Sequence, residues 1–261
     1  MKRFINDIKK YYKYTIYAAK AELKSEVAGS YLGWLWWFLD PLCFMLVYAF
    51  MVVTIFRASE QYMLAFVFIG YTIWTFFNKS ITASVKLIAS NKGIVTKVYI
   101  PKFILVLVKL FVNFFKLLVS FLIVAGLMVF YRVELSIAMI QLIPLLLLLF
   151  LLTFGMSVIL SHFGVFVEDL ANVINIILKL VFYFSGIFYS VVTRVPAPYG
   201  GILARINPAA FIIEQSRGAL LYGRCIDWMF YGIWFVIAII LCVIGIRVIY
   251  KNENNYVKVM S

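Results

Sequence analysis

The chain is 261 residues long, 65% hydrophobic and only 13% charged. A water-soluble domain is roughly half apolar, so this composition excludes one and leaves lipid as the solvent that accepts the surplus. The 24 Lys and Arg exceed the 11 Asp and Glu to give a net charge of +13, yet they form no basic groove and accompany no RNP-like or zinc-spaced motif, so no nucleic acid partner is expected.

Residues 1–30 come first. Ile5, Ile8, Tyr12, Ile16, Ala19 and Leu23 recur at three- and four-residue steps and make one helical stripe, while Lys9, Lys13, Lys20 and Lys24 project elsewhere. Such a helix lies in the membrane interface with its lysines toward anionic lipid headgroups. The stretch lacks an apolar h-region and a cleavage site, so it does not read as a signal peptide.

Residues 31–261 read as an all-α transmembrane domain. Apolar runs at 35–56, 62–78, 105–131, 137–161, 170–192 and 227–250 predict six spans, each near the length that crosses ~30 Å of hydrocarbon. They lack the alternation of barrel strands. With the N-terminus inside, seven Lys or Arg fall in 1–33, five in 79–102 and three in 247–261. Six fall on the other side: Arg57, Arg132, Arg194, Arg205, Arg217 and Arg224. The positive-inside bias therefore predicts that both termini are cytoplasmic. Trp34, Trp36, Trp37, Trp74, Phe76 and Phe77 are expected as an aromatic belt at one face, and Tyr189, Trp228 and Tyr231 at the other.

Asp40, followed by Pro41, lies just inside the first span, where an acid asks for a partner or water. The loop 79–102 is predicted to be cytoplasmic. Within it "SITASVKLIAS" reads as a short helix with Ile81, Val85 and Ile88 on one side, stopped by Gly93 after Asn91 and Lys92. Lys97 keeps the loop basic, and Pro101 suits the start of the next helix. An apolar stripe held in water by a basic loop is built to touch another protein.

In the third span Lys102, Lys109, Asn113, Lys116 and Ser120 are seven, four, three and four apart, which puts them on one helical face. Lys102 and Lys109 are close enough to the end to snorkel. Lys116 is deeper, where hydrocarbon would cost ~2.5–3.5 kcal/mol. The stripe either faces a water-filled vestibule on a substrate path or bonds to a neighbouring helix.

Residues 193–226 are too polar for a seventh span and too apolar for a free loop. Asn207 as cap and Pro208 at the first position predict a helix over "PAAFIIEQSRGALLYG", ending at Gly223. The stretch reads as a re-entrant helix pair on the outer side, which needs protein or water around its backbone. Glu214 and Arg217, three apart on it, suit a local ion pair.

Little points to bond chemistry. No G-x-x-x-x-G-K-[ST] phosphate loop occurs, so ATP hydrolysis of that kind is not expected in this chain. The single histidine, His162, has no ligand cluster near it in sequence, and Cys43, Cys225 and Cys242 make neither a metal motif nor a disulfide framework. Glu168 and Asp169 suit the N-terminal end of the fifth span.

Three segments in order carry a resemblance: "AELKSEVAGSYLGWLWWFLDPL", "NKGIVTKVYIPKFIL", and "SGIFYS" followed by "INPAAFIIEQSRGALLYG". Together they resemble the permease subunits of bacterial ABC transporters that export O-antigen, capsular polysaccharide or wall teichoic acid, over nearly the whole chain. The resemblance implies a non-enzymatic subunit of the bacterial cytoplasmic membrane. It implies two copies paired with two separate ATPase chains, with ATP and Mg bound by those partners and no cofactor in this chain. It also implies a lipid-linked glycan as substrate, and a coupling loop around Lys92, Gly93, Lys97, Tyr99 and Pro101 seated on the ATPase. Asn207, Pro208, Glu214 and Arg217 would then belong to a re-entrant gate. One departure is that Glu168 in "FVED" stands where the family often carries Arg. Two rivals remain: a related permease for a drug or small lipid, and a membrane-embedded transferase, which would need acids or a His converging at one membrane face.

Overall fold

A computed structural model describes residues 2–51, 62–95 and 97–260. Residues 52–56 of the first expected span, Arg57 and Ser59 lie outside the described residues. Those described form helices and no strand. Among the described residues four helices are long and apolar enough to cross a membrane: α3 (Met63–Val85), α6 (Lys102–Phe130), α7 (Leu142–Phe166, led in by a 3₁₀ turn at Ile137–Gln141) and α12 (Trp228–Lys251). The apolar helices α2 (Trp36–Phe50) and α8 (Leu170–Phe184) are shorter.

The amphipathic pattern at the start forms α1 (Lys2–Val27), which lies along α6. Its stripe divides in two. Ile8 and Ala19 pack on the bundle with Phe4 and Tyr11, whereas Ile5, Tyr12 and Ile16 stay exposed.

The second helix departs most from the sequence reading. Hydropathy falls at Asn78-Lys79-Ser80, which suggests an end near 78, but no Gly or Pro interrupts the chain there and α3 continues to Val85. Two single turns follow, α4 (Leu87–Ser90) and α5 (Lys92–Val95). Ile81, Val85 and Ile88 are each no more than 1% exposed, so the stripe expected to face another protein packs into this one. Gly93 lies inside α5 and is not a helix stop.

The fifth expected span also changes. Its helix α8 ends at Phe184, about 22 Å long, because Gly186 takes a left-handed φ of +62° and turns the chain before Val191. Short helices α9 (Val191–Arg194) and α10 (Tyr199–Ile206) lead to α11 (Pro208–Leu221). Asn207 caps α11 as predicted, its Oδ1 accepting from the backbone N–H of Ala209 and Ala210 with Pro208 in the first turn. The helix is buried against α3 and α7, from Ala209 to Leu221.

The main core joins α3, α7 and α11, and includes Trp74, Phe76 and Phe77, which are therefore interior residues and not members of a belt. Trp34 and Trp36 are exposed. A second core at the opposite end gathers Ile88, Ile100, Phe103, Ile246 and Tyr256. It draws α13 (Glu253–Met260) back onto α7.

Candidate functional site

Three helices and the end of α1 enclose a cavity of about 280 Å³. From α3, Tyr71, Thr72, Thr75 and Lys79 line it at helical steps; from α6 come Asn113, Lys116 and Ser120; α2 adds Trp36, Trp37 and Asp40, and α1 adds Glu26. Of the residues placed on a substrate path by sequence, Asn113, Lys116, Ser120 and Asp40 meet here. Lys109 does not line this cavity. It lies nearer the start of α6 and is ion-paired with Glu22 of α1.

The charges in the cavity are paired. Lys116 Nζ is 2.6 Å from Glu26 Oε2, and Lys79 Nζ is 3.6 Å from Asp40 Oδ2 in a more exposed pair. Asn113 Nδ2 donates to Ser80 Oγ at 3.0 Å, and Ser120 Oγ donates back to the Lys116 carbonyl. Asn113 thus bonds a neighbouring helix and also lines the cavity. Thr72 Oγ1 is buried without a hydrogen-bond partner. Lys102 is buried with its amine 5.6 Å over the Tyr99 ring, so it does not snorkel.

Glu26, Lys79 and the Tyr71–Thr72–Thr75 face went unrecognised in the sequence. The α3 residues share the three- and four-residue spacing that exposed the α6 stripe, but they straddle the point where hydropathy suggests a helix end. Nothing in the spacing of Glu22 and Glu26 announces partners so far along the chain.

The other predicted residues occupy the two ends. Among the coupling residues Lys92, Gly93, Lys97 and Tyr99 are exposed, while Pro101 is buried at the start of α6. Tyr99 is held on three sides. Its hydroxyl accepts from Arg3 Nη2 at 2.5 Å and donates to Glu253 Oε1 at 3.0 Å, and its carbonyl accepts from the Tyr11 hydroxyl. Arg3 also reaches Glu253 Oε2 at 2.6 Å. That bond holds its guanidinium above the usual arginine range, and burial raises the Tyr99 phenol. His162 Nδ1 lies 2.7 Å from the hydroxyl of Tyr256, which is fully buried, so the lone histidine anchors α13.

At the opposite end Arg217 is 1% exposed. Its guanidinium donates to the carbonyls of Phe66, Gly186 and Ile187 at 2.9, 2.8 and 2.6 Å and stands 3.6 Å over the Phe66 ring. Glu214, 3.6 Å from Arg217 Nη1, accepts from Ser190 Oγ. Asn207 Nδ2 reaches the Phe184 carbonyl and Ser185 Oγ. These residues thus stitch α11 to the turn after α8.

A bundle of apolar helices around a cavity of balanced charges, with no His or Cys in its lining, defines a multi-pass membrane protein. Among the described residues no group of three or more His, Cys, Asp or Glu side chains could hold a metal. No family model matches the chain. It is similar to the O-antigen export system permease protein RfbA of Klebsiella pneumoniae, 25% identical over 240 residues that make up 92% of each chain. A second Klebsiella pneumoniae protein of that name is 23% identical over the same share. The Myxococcus xanthus protein is 26% identical over 229 residues, 87% of each chain. The resemblance to ABC export permeases carried by three segments therefore holds along almost the whole sequence.

Proposed function

We propose that this chain is the permease subunit of an ABC exporter that moves a lipid-linked polysaccharide across the bacterial cytoplasmic membrane. The observation that carries this reading is the similarity to O-antigen export permeases across 92% of both chains. In this reading two copies work with two separate ATPase subunits, which bind ATP and Mg. Six spans place both termini in the cytoplasm, with α2 and α8 completing the four long helices and α10 and α11 forming the re-entrant gate. The fifteen-to-six basic count supports that orientation.

The exposed residues Lys92, Gly93, Lys97 and Tyr99 meet the ATPase; the inward-packed Ile81, Val85 and Ile88 hold that contact against the bundle. The cavity lies on the substrate path. Its paired charges keep it close to neutral when empty, and each pair can exchange a partner for a sugar hydroxyl or a phosphate oxygen of the carrier.

Depletion of the chain tests this reading: a lipid-linked glycan accumulates on the cytoplasmic side while surface polymer falls. Unchanged surface polymer with no accumulated glycan would refute it. Orientation is checked by labelling intact cells, where Pro198→Cys reacts with an impermeant reagent and Ser90→Cys does not.

A further inference from the structure

Three segments far apart in sequence meet at Tyr99. Arg3 opens α1, Tyr99 stands in the loop before α6, and Glu253 opens α13. Arg3 bridges the other two, and Tyr99 also bonds Glu253 directly, so the three form a closed triangle and not a single surface pair. The Glu253 side chain is only 12% exposed, whereas Arg3 and Tyr99 stay about half open to water. A second tie runs beside it: the Tyr250 hydroxyl donates to Asp7 Oδ2 at 2.6 Å, and Arg3 lies 4.4 Å over the Tyr250 ring.

One turn along from Glu253, α13 is anchored to α7. Tyr256 is buried in the second core and bonded to His162 of α7. Glu253 is therefore tied to the end of α7. At the other end of the same rigid α1, about 35 Å away at 1.5 Å per residue, Glu26 lines the cavity in its pair with Lys116.

We infer that the C-terminal helix α13 is a clasp, with Glu253 as positioning residue, that makes Tyr99 of the ATPase-facing loop and the start of α1 move as one body and so carries motion to the cavity. The inference rests on the permease reading above. A loop not gripped in this way would move against α1 and leave the Glu26–Lys116 pair where it was. With the clasp closed, displacement of Tyr99 displaces Arg3, and the continuous helix transmits it.

The test uses the full chain assembled with its ATPase subunit in lipid nanodiscs, with surface polymer measured in cells. The variants are Glu253→Gln, Tyr99→Phe and the charge swap Arg3→Glu with Glu253→Arg. Spin labels at Ser25→Cys and Leu118→Cys report the distance between the end of α1 and α6, with and without a non-hydrolysable ATP analogue. Wild type shows a nucleotide-dependent change in that distance. In Glu253→Gln we expect assembly and ATP turnover near wild type, no distance change, and about tenfold less polymer exported per ATP hydrolysed; Tyr99→Phe also loses the distance change. The charge swap restores both readouts.

Variants that keep the distance change and the wild-type export per ATP overturn the clasp. So does a loss of export that follows only the amount of assembled complex, because that marks a fold-stabilising contact alone. If the wild-type chain captures no ATPase and its depletion leaves surface polymer unchanged, the permease reading itself falls and takes the inference with it.

Discussion

Two cations are carried into this apolar bundle and are held in opposite ways. Arg217 is closed off from solvent and its hydrogen bonds go to backbone carbonyls, with a ring beneath and one acid at 3.6 Å. Lys116 keeps 26% of its side chain exposed in a cavity, and its 2.6 Å partner Glu26 is another side chain. Carbonyls cannot leave, and a planar guanidinium that fits three of them has one geometry. A carboxylate on a separate helix can move away, and an ammonium on a flexible stem can take another partner. The first arrangement fixes a shape; the second leaves a charge able to change partner.

The sharpest way to break the comparison is Arg217→Met. The carbonyls of Gly186 and Ile187 lie in a turn, so losing their donor costs about 1–3 kcal/mol each, and Glu214 is left without its cation. We expect a loss of several kcal/mol and little protein recovered as a monodisperse species in fluorescence-detected size exclusion. Arg217→Lys does not rescue it, since one ammonium cannot span three acceptors. Normal recovery of Arg217→Met would remove the claim that this end is a fixed structure.

Gly70→Ala probes the same knot more gently. A Cβ at Gly70 would stand 2.5 Å from Arg217 Nη2 and 3.2 Å from the Ile187 carbonyl. The arginine tip would ordinarily yield, but three hydrogen bonds hold it. Overpacking of this kind costs about 1–3 kcal/mol, so a lowered melting temperature with export retained at permissive temperature is expected. A melting temperature equal to wild type would show that the knot has slack.

How far these two places could be read from sequence differs for physical reasons. The Asn207-Pro208 start of α11 was legible because a cap and a first-turn proline are local signals. The carbonyl knot was not, since Arg217 bonds Phe66, 151 residues away, through backbone atoms that leave no mark on residue type. The long apolar helices α6, α7 and α12 follow from hydropathy; the inward packing of Ile81, Val85 and Ile88 does not. An apolar stripe beside a basic loop looks the same in sequence whether it meets a partner or its own bundle. The α6 stripe was legible from spacing alone, but its acids on α1 were not.

Lys116→Met tests the adjustable side. Methionine keeps length and apolar contact and deletes the charge, while Glu26 can still turn toward water through the open cavity. Assembly is expected to be normal and polymer export to fall about fivefold to tenfold, within the range of a single coupling interaction. Normal assembly with wild-type export would make the pair a structural tie and take the cavity off the substrate path.

Lys109→Met should do least, and for that reason divides the stripe. Sequence spacing groups Lys109 with Lys116, two helical turns apart on one face. The structure distinguishes them by partner: Lys109 pairs with Glu22 and is absent from the cavity lining, although both lysines line an adjoining pocket between α1, α3 and α6. One-third of its side chain and 22% of that of Glu22 are exposed, so the partly screened pair serves as a tie between α1 and α6. Export close to wild type is expected, with at most a small drop in melting temperature. If Lys109→Met instead lowered export as much as Lys116→Met at equal assembly, the charge itself would matter along the whole face. The substrate would then meet α6 before it reaches the cavity, and the path would have to be drawn down the seam between α1 and α6.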